Sequence, residues 1–369
     1  KVARVASLAT TVVASEILTS EKAEASITIG ETAGSPNNQS VKKTSAAAVS
    51  TAIAIGNNAN ASNSGSAFAI AIGGDTASTG NGAISIGKDA QSLASSGVAV
   101  GYNSKASGGQ AVAIGGNIQN AGGAQATGDQ SISIGGDTIA SGSSSIAIGG
   151  DDLNQANSIA GVVFKNLTGV DFIGTTTYIK TESGGAGSIA IGVQSTSSGH
   201  LSTAFGTKTK ASGAYSTALG VGASSEGEGS IALGGAASSK GKTSIAIGTK
   251  VKTVGESATS MGYGAEASSK GTVAIGLDSR AGDGNAATGT AGANGINAVA
   301  IGKGTQANHD SNIAIGNSAE TGRDLTVSNY DIKNISIGYE AGKGMNGQFN
   351  SYLGTNAGQD SKGDGNSAF

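Results

Sequence analysis

The feature that most constrains this chain is a short motif, Ile-Ala-Ile-Gly or a close variant, that recurs along almost its whole length. The last glycine of each copy serves as a marker, and eleven of the eighteen intervals between nineteen markers span 14 positions. The markers are Gly30, Gly56, Gly73, Gly87, Gly101, Gly115, Gly135, Gly149, Gly192, Gly206, Gly220, Gly234, Gly248, Gly262, Gly276, Gly302, Gly316, Gly338 and Gly354. A fixed short period of this kind identifies a repeat protein.

Each repeat is predicted to be one coil of a β-solenoid. In Ser244–Gly248 large and small residues alternate with the period of two that indicates a strand. A second glycine closes another turn about seven residues on, as at Gly213 and Gly227, and we expect glycine at both corners to supply a positive φ. Two strands within so short a repeat leave no room for a helical crossover. The predicted fold class is therefore all-β, a parallel β-roll or solenoid of ~14-residue repeats whose coils stack at ~4.8 Å.

Stacking would place residues 14 positions apart in columns, and the columns are chemically uniform. The column just before the marker is large and apolar and includes Leu219, Leu233 and Ile247; the column before that is small and includes Ala218, Ala232 and Ala246. Eight positions after the marker, Glu228, Lys242, Glu256 and Lys270 alternate in sign, so that neighbouring coils face opposite charges. This alternation favours in-register stacking.

The same columns predict self-association. We expect the large residues to fill the core of the roll and the alanine column to lie on the opposite face, where a flat row of small residues lets another backbone approach. A single roll buries few large side chains at ~1.5–3 kcal/mol each, against ~1–2 kcal/mol of backbone entropy per ordered residue. Several rolls are therefore expected to pack side by side with cyclic symmetry. The columns do not set the number of copies.

Composition excludes several other classes. The chain has 63 glycines but one proline, which excludes collagen, and no cysteine, which excludes disulfide scaffolds and cysteine-ligated metals. Its net charge of −3 is too small for a disordered polar tail, and aromatic residues are only 4%. No nucleic-acid partner is expected.

No sequence motif points to an enzyme, a metal or a cofactor. Gly342–Gly347 fits G-x-G-x-x-G, but no helix pattern or acidic partner accompanies it. His200 and His309 fall in different coils, and Asp151 with Asp152 is interpreted as a turn that leads into an insertion. We therefore expect a protein without catalysis.

Lysines form the one candidate ligand surface. Most of them could simply keep an outer sheet soluble; alternatively, they could dock a ligand weakly, with avidity from many copies. The candidates are Lys208, Lys210, Lys240, Lys242, Lys250 and Lys252.

The repeats resemble the heads of trimeric autotransporter adhesins of the YadA-like type. The resemblance rests on Ser-Ile-Ala-Ile-Gly, on Ser216–Gly220 and Ser230–Gly234, and on the flanking Lys105–Gly108 and Lys210–Gly213. It implies a left-handed parallel β-roll, a homotrimer, and exposure on the surface of a bacterium at the tip of an outer-membrane fibre. It also implies adhesion to host matrix proteins such as collagen, fibronectin or laminin, or to other cells, with a membrane anchor lying outside this sequence.

The irregular intervals predict the organisation of the chain. The segments are a leader-like segment or cap at 1–25, roll repeats at 26–150, a hairpin-like head insert at 151–186, regular repeats at 187–317, a short insert at 318–334, and truncated 16-residue repeats at 335–369. Two other functions stay open. One is a trimeric phage fibre, which the leader-like start disfavours; the other is an ice-binding solenoid, for which the threonine ladder is too short, since only Thr203 and Thr217 stack.

Overall fold

The computed structural model describes residues 52–61, 68–117, 122–152, 154–168, 179–282, 296–321 and 333–369, with the backbone alone for 154–160. The leader-like segment 1–25 lies outside the described residues. So do the first coil of the 26–150 repeats, residues 169–178 of the head insert and residues 322–332 of the short insert.

The described chain is a parallel β-solenoid with two sheets, one on each side of the coil. The first sheet carries the marker motif, and the second carries the shorter strand between the two turns. The strands of the first sheet are Ile53–Ile55, Ile70–Ile72, Ile84–Ile86, Val98–Val100, Val112–Ile114, Ile132–Ile134, Ile146–Ile148, Ile189–Ile191, Thr203–Phe205, Thr217–Leu219, Ile231–Leu233, Ile245–Ile247, Thr259–Met261, Val273–Ile275, Val299–Ile301, Ile313–Ile315, Ile335–Ile337, Ser351–Leu353 and Ser367–Ala368. The strands of the second sheet are Asn60–Ala61, Ala77–Ser78, Gln91–Ser92, Lys105–Ala106, Gln125–Ala126, Thr138–Ala140, Thr181–Ser183, Thr196–Ser197, Lys210–Ala211, Ser224–Ser225, Ser238–Ser239, Lys252–Thr253, Glu266–Ala267, Arg280–Ala281, Gln306–Ala307 and Glu320–Thr321.

The register confirms the columns. Ala204 pairs with Ala218, Ala218 with Ala232, and Ala232 with Ala246, so each partner lies one repeat further along the chain. The insertions do not break the stack, because Ile148 pairs with Ile191 across the longest interval. The parallel solenoid of ~14-residue repeats is therefore confirmed.

The predicted assignment of the two faces is wrong. Ala218, Ala232 and Ala246 point into the roll and have no exposed surface, whereas Leu219 and Leu233 point outward and are 40% and 37% exposed. The physical reason is width: strands of two or three residues, closed by tight turns, bring the two sheets too close together for leucine or isoleucine between them. The interior consists mainly of alanine, serine and threonine.

Interior hydroxyl groups bond across the roll. Ser197 and Ser202 lie 2.6 Å apart between their Oγ atoms, as do Ser225 and Ser230, and Ser202 Oγ also donates to the carbonyl oxygen of Gly199 at 2.6 Å. A buried hydroxyl is costly unless it is bonded. These bonds let a narrow interior hold serine as readily as alanine.

Glycine is common at both corners, but for different reasons. Gly234 has a φ of 127°, and a Cβ there would lie 2.3 Å from the carbonyl oxygen of Gly248 in the next coil. At the second corner the positive-φ prediction is wrong for Gly213 and Gly227, which have ordinary φ values. A Cβ on Gly213 would lie 2.0 Å from the carbonyl oxygen of Gly227, so this glycine permits close stacking of the turns.

The head insert contains a helix. Asn154–Thr168, named α1, is a 15-residue α-helix, so the predicted hairpin is wrong for this stretch. Lys165 lies in its last turn, where a positive charge favours the helix dipole. Thr168 Oγ1 donates to the carbonyl oxygen of Phe164 at 2.7 Å and satisfies a group near the helix end.

Beyond Ile335 the coils lengthen by two residues, with Ile335 paired to Ser351 and Ser351 to Ser367. A ladder of asparagines links them: Asn334 Oδ1 accepts from Asn350 N at 2.9 Å, and Asn350 Oδ1 accepts from Asn366 N at 2.7 Å. Tyr352 occupies the interior column and is 2% exposed. The longer coil therefore makes room for a large interior side chain.

Candidate functional site

The outward side of the first sheet is a continuous apolar surface, which we call the apolar face. Strand alternation puts the residues before and after each interior alanine on this side. Members that are more than a third exposed are Ile53, Ile86, Ile114, Phe205, Leu219, Ile231, Leu233, Met261, Ile335 and Leu353. The face therefore runs through the described coils from one end of the solenoid to the other.

The size of the apolar face sets it apart from scattered exposed hydrophobic residues. Nineteen strands at ~4.8 Å give a length of roughly 85 Å, and its two columns lie about 7 Å apart. The resulting area, on the order of 600 Å², is at the upper end of what monomeric proteins expose. A continuous surface of this kind indicates contact with another protein surface.

The outward side of the second sheet is polar, and its charges pair between coils. Lys252 Nζ lies 2.7 Å from Glu266 Oε1, and Lys210 Nζ lies 3.7 Å from Glu226 Oε1. The alternating column at the second turn is confirmed by two pairs in which the charges stack from coil to coil: Lys242 with Glu228 at 3.0 Å and Lys270 with Glu256 at 3.3 Å. All are solvent-exposed pairs, worth ~0–1 kcal/mol each.

The structure divides the six candidate lysines among three stripes. Lys208 and Lys250 lie in the turn that follows the marker, where both have a positive φ. Lys210 and Lys252 lie on the second sheet, and Lys240 and Lys242 flank the glycine of the second turn. Lys210, Lys242 and Lys252 form ion pairs with glutamates. The lysines therefore do not form one basic ridge.

Helix α1 lies against the turn that follows the marker glycine. The sequence did not predict this contact. Two consecutive coils have glycine there, at Gly222 and Gly235, and the Phe164 ring occupies that space. A Cβ on Gly222 would lie 3.2 Å from Phe164 Cζ, and one on Gly235 would lie 3.7 Å from Phe164 Cε2. Further along, the Tyr263 hydroxyl donates to the carbonyl oxygen of Leu167 at 2.9 Å. Glycine also occurs at these turn positions in other coils, as at Gly264 and Gly304, so the sequence does not single out this contact.

The two histidines do not come together in the described part of the chain. His200 Nδ1 accepts from Ala186 N at 3.1 Å at the surface, and His309 lies seven coils away. Within the described ranges no group of three or more histidine or acidic side chains is arranged to hold a metal ion. No helix among the described residues is long and apolar enough to cross a membrane.

A parallel solenoid with an apolar outer face defines a repeat protein that acts through its surfaces. The comparisons with known proteins agree with this class. The model of the YadA head domain repeat matches seven segments, which are 94–117, 126–151, 183–200, 197–223, 225–250, 254–279 and 293–319. The chain carries a YadA-like head domain, the type of head found in surface-exposed trimeric autotransporter adhesins. None of the matched segments includes α1.

Among solved structures, the chain is similar to the collagen-binding domain of the Yersinia adhesin YadA. The two share 24% identity over 43% of this chain and 76% of the other, with a TM-score of 0.27. No curated protein matches the chain. The family assignment rests on the repeats.

Proposed function

We propose that this chain is the head of a bacterial surface adhesin that works as a homotrimer and binds without catalysis. The apolar face carries this proposal. Its large side chains are half-exposed in the single chain, and burying them would stabilise an assembly by ~25 cal/mol for each Å² removed from water. Three rolls around one axis would each turn this face inward and leave the polar second sheet outside.

The proposed ligands are host extracellular-matrix proteins of the collagen, fibronectin and laminin type, or receptors on host cells. The family of the repeats supports this class. In a trimer every outward site would occur three times, so that weak contacts add through multivalency. We include Lys208, Lys210, Lys240, Lys242, Lys250 and Lys252 as candidate contributors to such contacts. Self-association between cells, seen as autoagglutination or biofilm, is a further proposed outcome of the same surface.

The proposed location is the bacterial cell surface, with the head projecting outward from the outer membrane. The YadA-like head supports the location because heads of this type belong to surface-exposed adhesins.

A binding panel tests the proposal. The purified chain is applied to immobilised collagen, fibronectin, laminin and albumin, together with a variant in which Lys240→Glu and Lys242→Glu reverse charge at the second turn. We expect saturable binding to at least one matrix protein and none to albumin. The matched control is Lys303→Glu, an exposed lysine outside the candidate set. Equal binding to albumin and to every matrix protein would contradict an adhesive function.

A further inference from the structure

The turn that follows each marker glycine aligns side chains from neighbouring coils. In most coils the second residue of this turn adopts a left-handed conformation, with a φ of 54° at Asp137 and 58° at Gln194, whereas Asn117 and Asp151 do not. Gln194 N donates to the carbonyl oxygen of Gly150 at 3.0 Å, so the coil of Gln194 stacks directly on the coil that ends in Asp151. Where the insert leaves the roll, the column is therefore Asn117, Asp137, Asp151 and Gln194.

Asp137 is buried without full compensation. Asp137 is 1% exposed, and its Oδ2 accepts a hydrogen bond from Asn117 Nδ2. Its Oδ1 has no surface and no hydrogen-bond partner. An ionised carboxylate in this position is costly unless a positive charge or a donor lies nearby.

Gln194 carries a second buried and unpartnered oxygen in the same column. The residue is 8% exposed, and its Nε2 donates to the carbonyl oxygen of Asp151 at 2.7 Å. This bond fixes the amide orientation, because the opposite one would bring two oxygens together. The remaining oxygen, Oε1, is buried and has no hydrogen-bond partner.

Asp151 lies between these two residues in the column. Burial, followed by the charge of Asp137, raises the pKa of the Asp151 carboxyl above its ordinary value, and Asp152 adds to the effect. No lysine or arginine is among the causes of this shift. Lys208 follows Gln194 in the column, about 10 Å from Asp151 along the axis at ~4.8 Å per coil. The column therefore concentrates oxygen atoms and negative charge at the base of α1.

We propose that Asp137, Asp151 and Gln194 bind a hard divalent cation of the calcium class at the base of α1. Two carboxylates and an amide oxygen are the donor types that Ca²⁺ prefers, with water to complete its shell of six to eight ligands. The absence of nitrogen or sulfur donors among these three side chains disfavours zinc and copper at this site. Mg²⁺ is a poorer fit because it requires near-ideal octahedral geometry. Two of the three proposed ligands are carboxylates, and the third is a neutral amide oxygen.

The cation would join the two ends of the insertion. Asp151 is where the chain leaves the roll towards α1, and Gln194 lies in the first full coil after it returns. A metal held by both would order the base of α1 and stabilise the stack across the insert. This inference concerns one chain and does not depend on the trimer or on adhesion.

Calorimetry on the full chain tests the site. The protein is freed of metal with a chelator, and CaCl₂ and MgCl₂ are titrated separately while heat and unfolding temperature are measured. We expect one Ca²⁺ per chain with a Kd of ~10⁻⁴–10⁻³ M, the range of extracellular modules, weaker Mg²⁺ binding, and a rise in Tm with Ca²⁺.

Two variants and one control make the test specific. Asp137→Asn should weaken Ca²⁺ binding at least tenfold, and Gln194→Ala should also weaken it because it removes the amide oxygen. The control is Asp89→Asn, at the same position of another coil but paired with Lys88 at 3.1 Å, and it should not change binding. The proposal is overturned if the unaltered chain shows no saturable Ca²⁺ binding. It is equally overturned if Asp137→Asn and Asp89→Asn have the same effect, or if Gln194→Ala binds Ca²⁺ as tightly as the unaltered chain.

Discussion

The ring of Phe164 lies against Gly222, a residue 58 positions later in the chain, so closely that a Cβ there would lie 3.2 Å from the ring. Together with Gly235, this contact holds helix α1 against the solenoid. The repeat pattern predicts the coils of the solenoid but not the helix. Because glycine replaces a side chain at two neighbouring turns, the roll presents a shallow site for one aromatic ring.

Removing that ring should release α1. Phe164→Ala is expected to lower hydrogen-exchange protection of residues 161–168 by about 10- to 100-fold, since burial of a phenylalanine is worth ~1.5–3 kcal/mol. The midpoint of unfolding of the roll should hardly change. Val163→Ala is the control, because Val163 is 64% exposed. Equal protection in the two variants would show that Phe164 does not hold the helix.

The glycine side of the contact can be tested separately. Gly222→Ala should loosen α1, whereas Gly304→Ala should not. The two glycines occupy the same position of their coils with φ values of 67° and 62°, so the backbone cost is matched. A Cβ on Gly304 would meet only Ser318 Oγ at 3.9 Å. Proteolysis within 154–168, followed by mass spectrometry, measures the difference, and similar cleavage of both variants would contradict the account.

The period and register could be predicted from the sequence because stacked columns leave a direct trace in it. Ala218 and Ala232 repeat at the spacing at which they pair. Which side of the strand faces inward could not be predicted in this way. Alternation separates Ala232 from Leu233, but only the width of the coil decides that Ala232 is inside, and hydrophobicity alone favours the opposite.

The helix and its contacts could be predicted less well. A strand is favoured by the propensities of Val162, Val163 and Phe164. The length of the segment and its lack of a turn signal also allow a helix, and tertiary packing on Gly222 decides between the two. The column of Asp137, Asp151 and Gln194 was also missed, because the insertion places Gln194 far from the other two in the sequence. Only stacking across the insertion brings them together.

The two faces of one strand should respond in opposite ways to mutation. Ala232→Leu inserts bulk into an interior with no exposed surface, and overpacking of this kind costs ~1–3 kcal/mol or more. Leu233→Ala changes an outward residue that is 37% exposed, so a dissociated chain should lose less than ~1 kcal/mol. Urea unfolding at low protein concentration measures both. If Leu233→Ala is the more damaging change to the isolated chain, the face assignment is wrong.

The asparagine ladder should stabilise the longer coils at the end of the chain. Asn350 is 1% exposed, its Oδ1 accepts from Asn366 N, and its Nδ2 donates to the carbonyl oxygen of Gly363 at 3.1 Å. Asn350→Ala leaves these buried groups unpaired, and we expect a loss of ~1–3 kcal/mol. Hydrogen exchange localises the loss to the last coils, as expected for a repeat protein. Gln359→Ala, at an exposed position of the same region, should be neutral; an equal effect would argue against the ladder.

When a chelator keeps the chain free of metal, its free energy of unfolding should also depend on the protonation of Asp151. Because burial and Asp137 raise the pKa of its carboxyl above 3.8 in the folded state, the folded chain binds this proton more tightly than the unfolded chain does. Stability gained from the proton is present at low pH and is lost as the pH rises through the raised pKa. As the pH falls from 7 through the raised pKa towards 3.8, the unaltered chain should therefore gain stability relative to Asp151→Asn. Parallel pH profiles of the two proteins would contradict this linkage.

The mass of the chain in solution tests the central claim most directly. Sedimentation equilibrium should give three times the 35.2 kDa of one chain, and a variant with Leu219→Asp and Leu233→Asp should sediment as a folded single chain, because both residues point outward. Ser224→Asp, an outward residue on the second sheet, should leave the mass unchanged. A folded single chain before any mutation, with the apolar face uncovered, would contradict the proposal that this face joins the copies of the adhesin head.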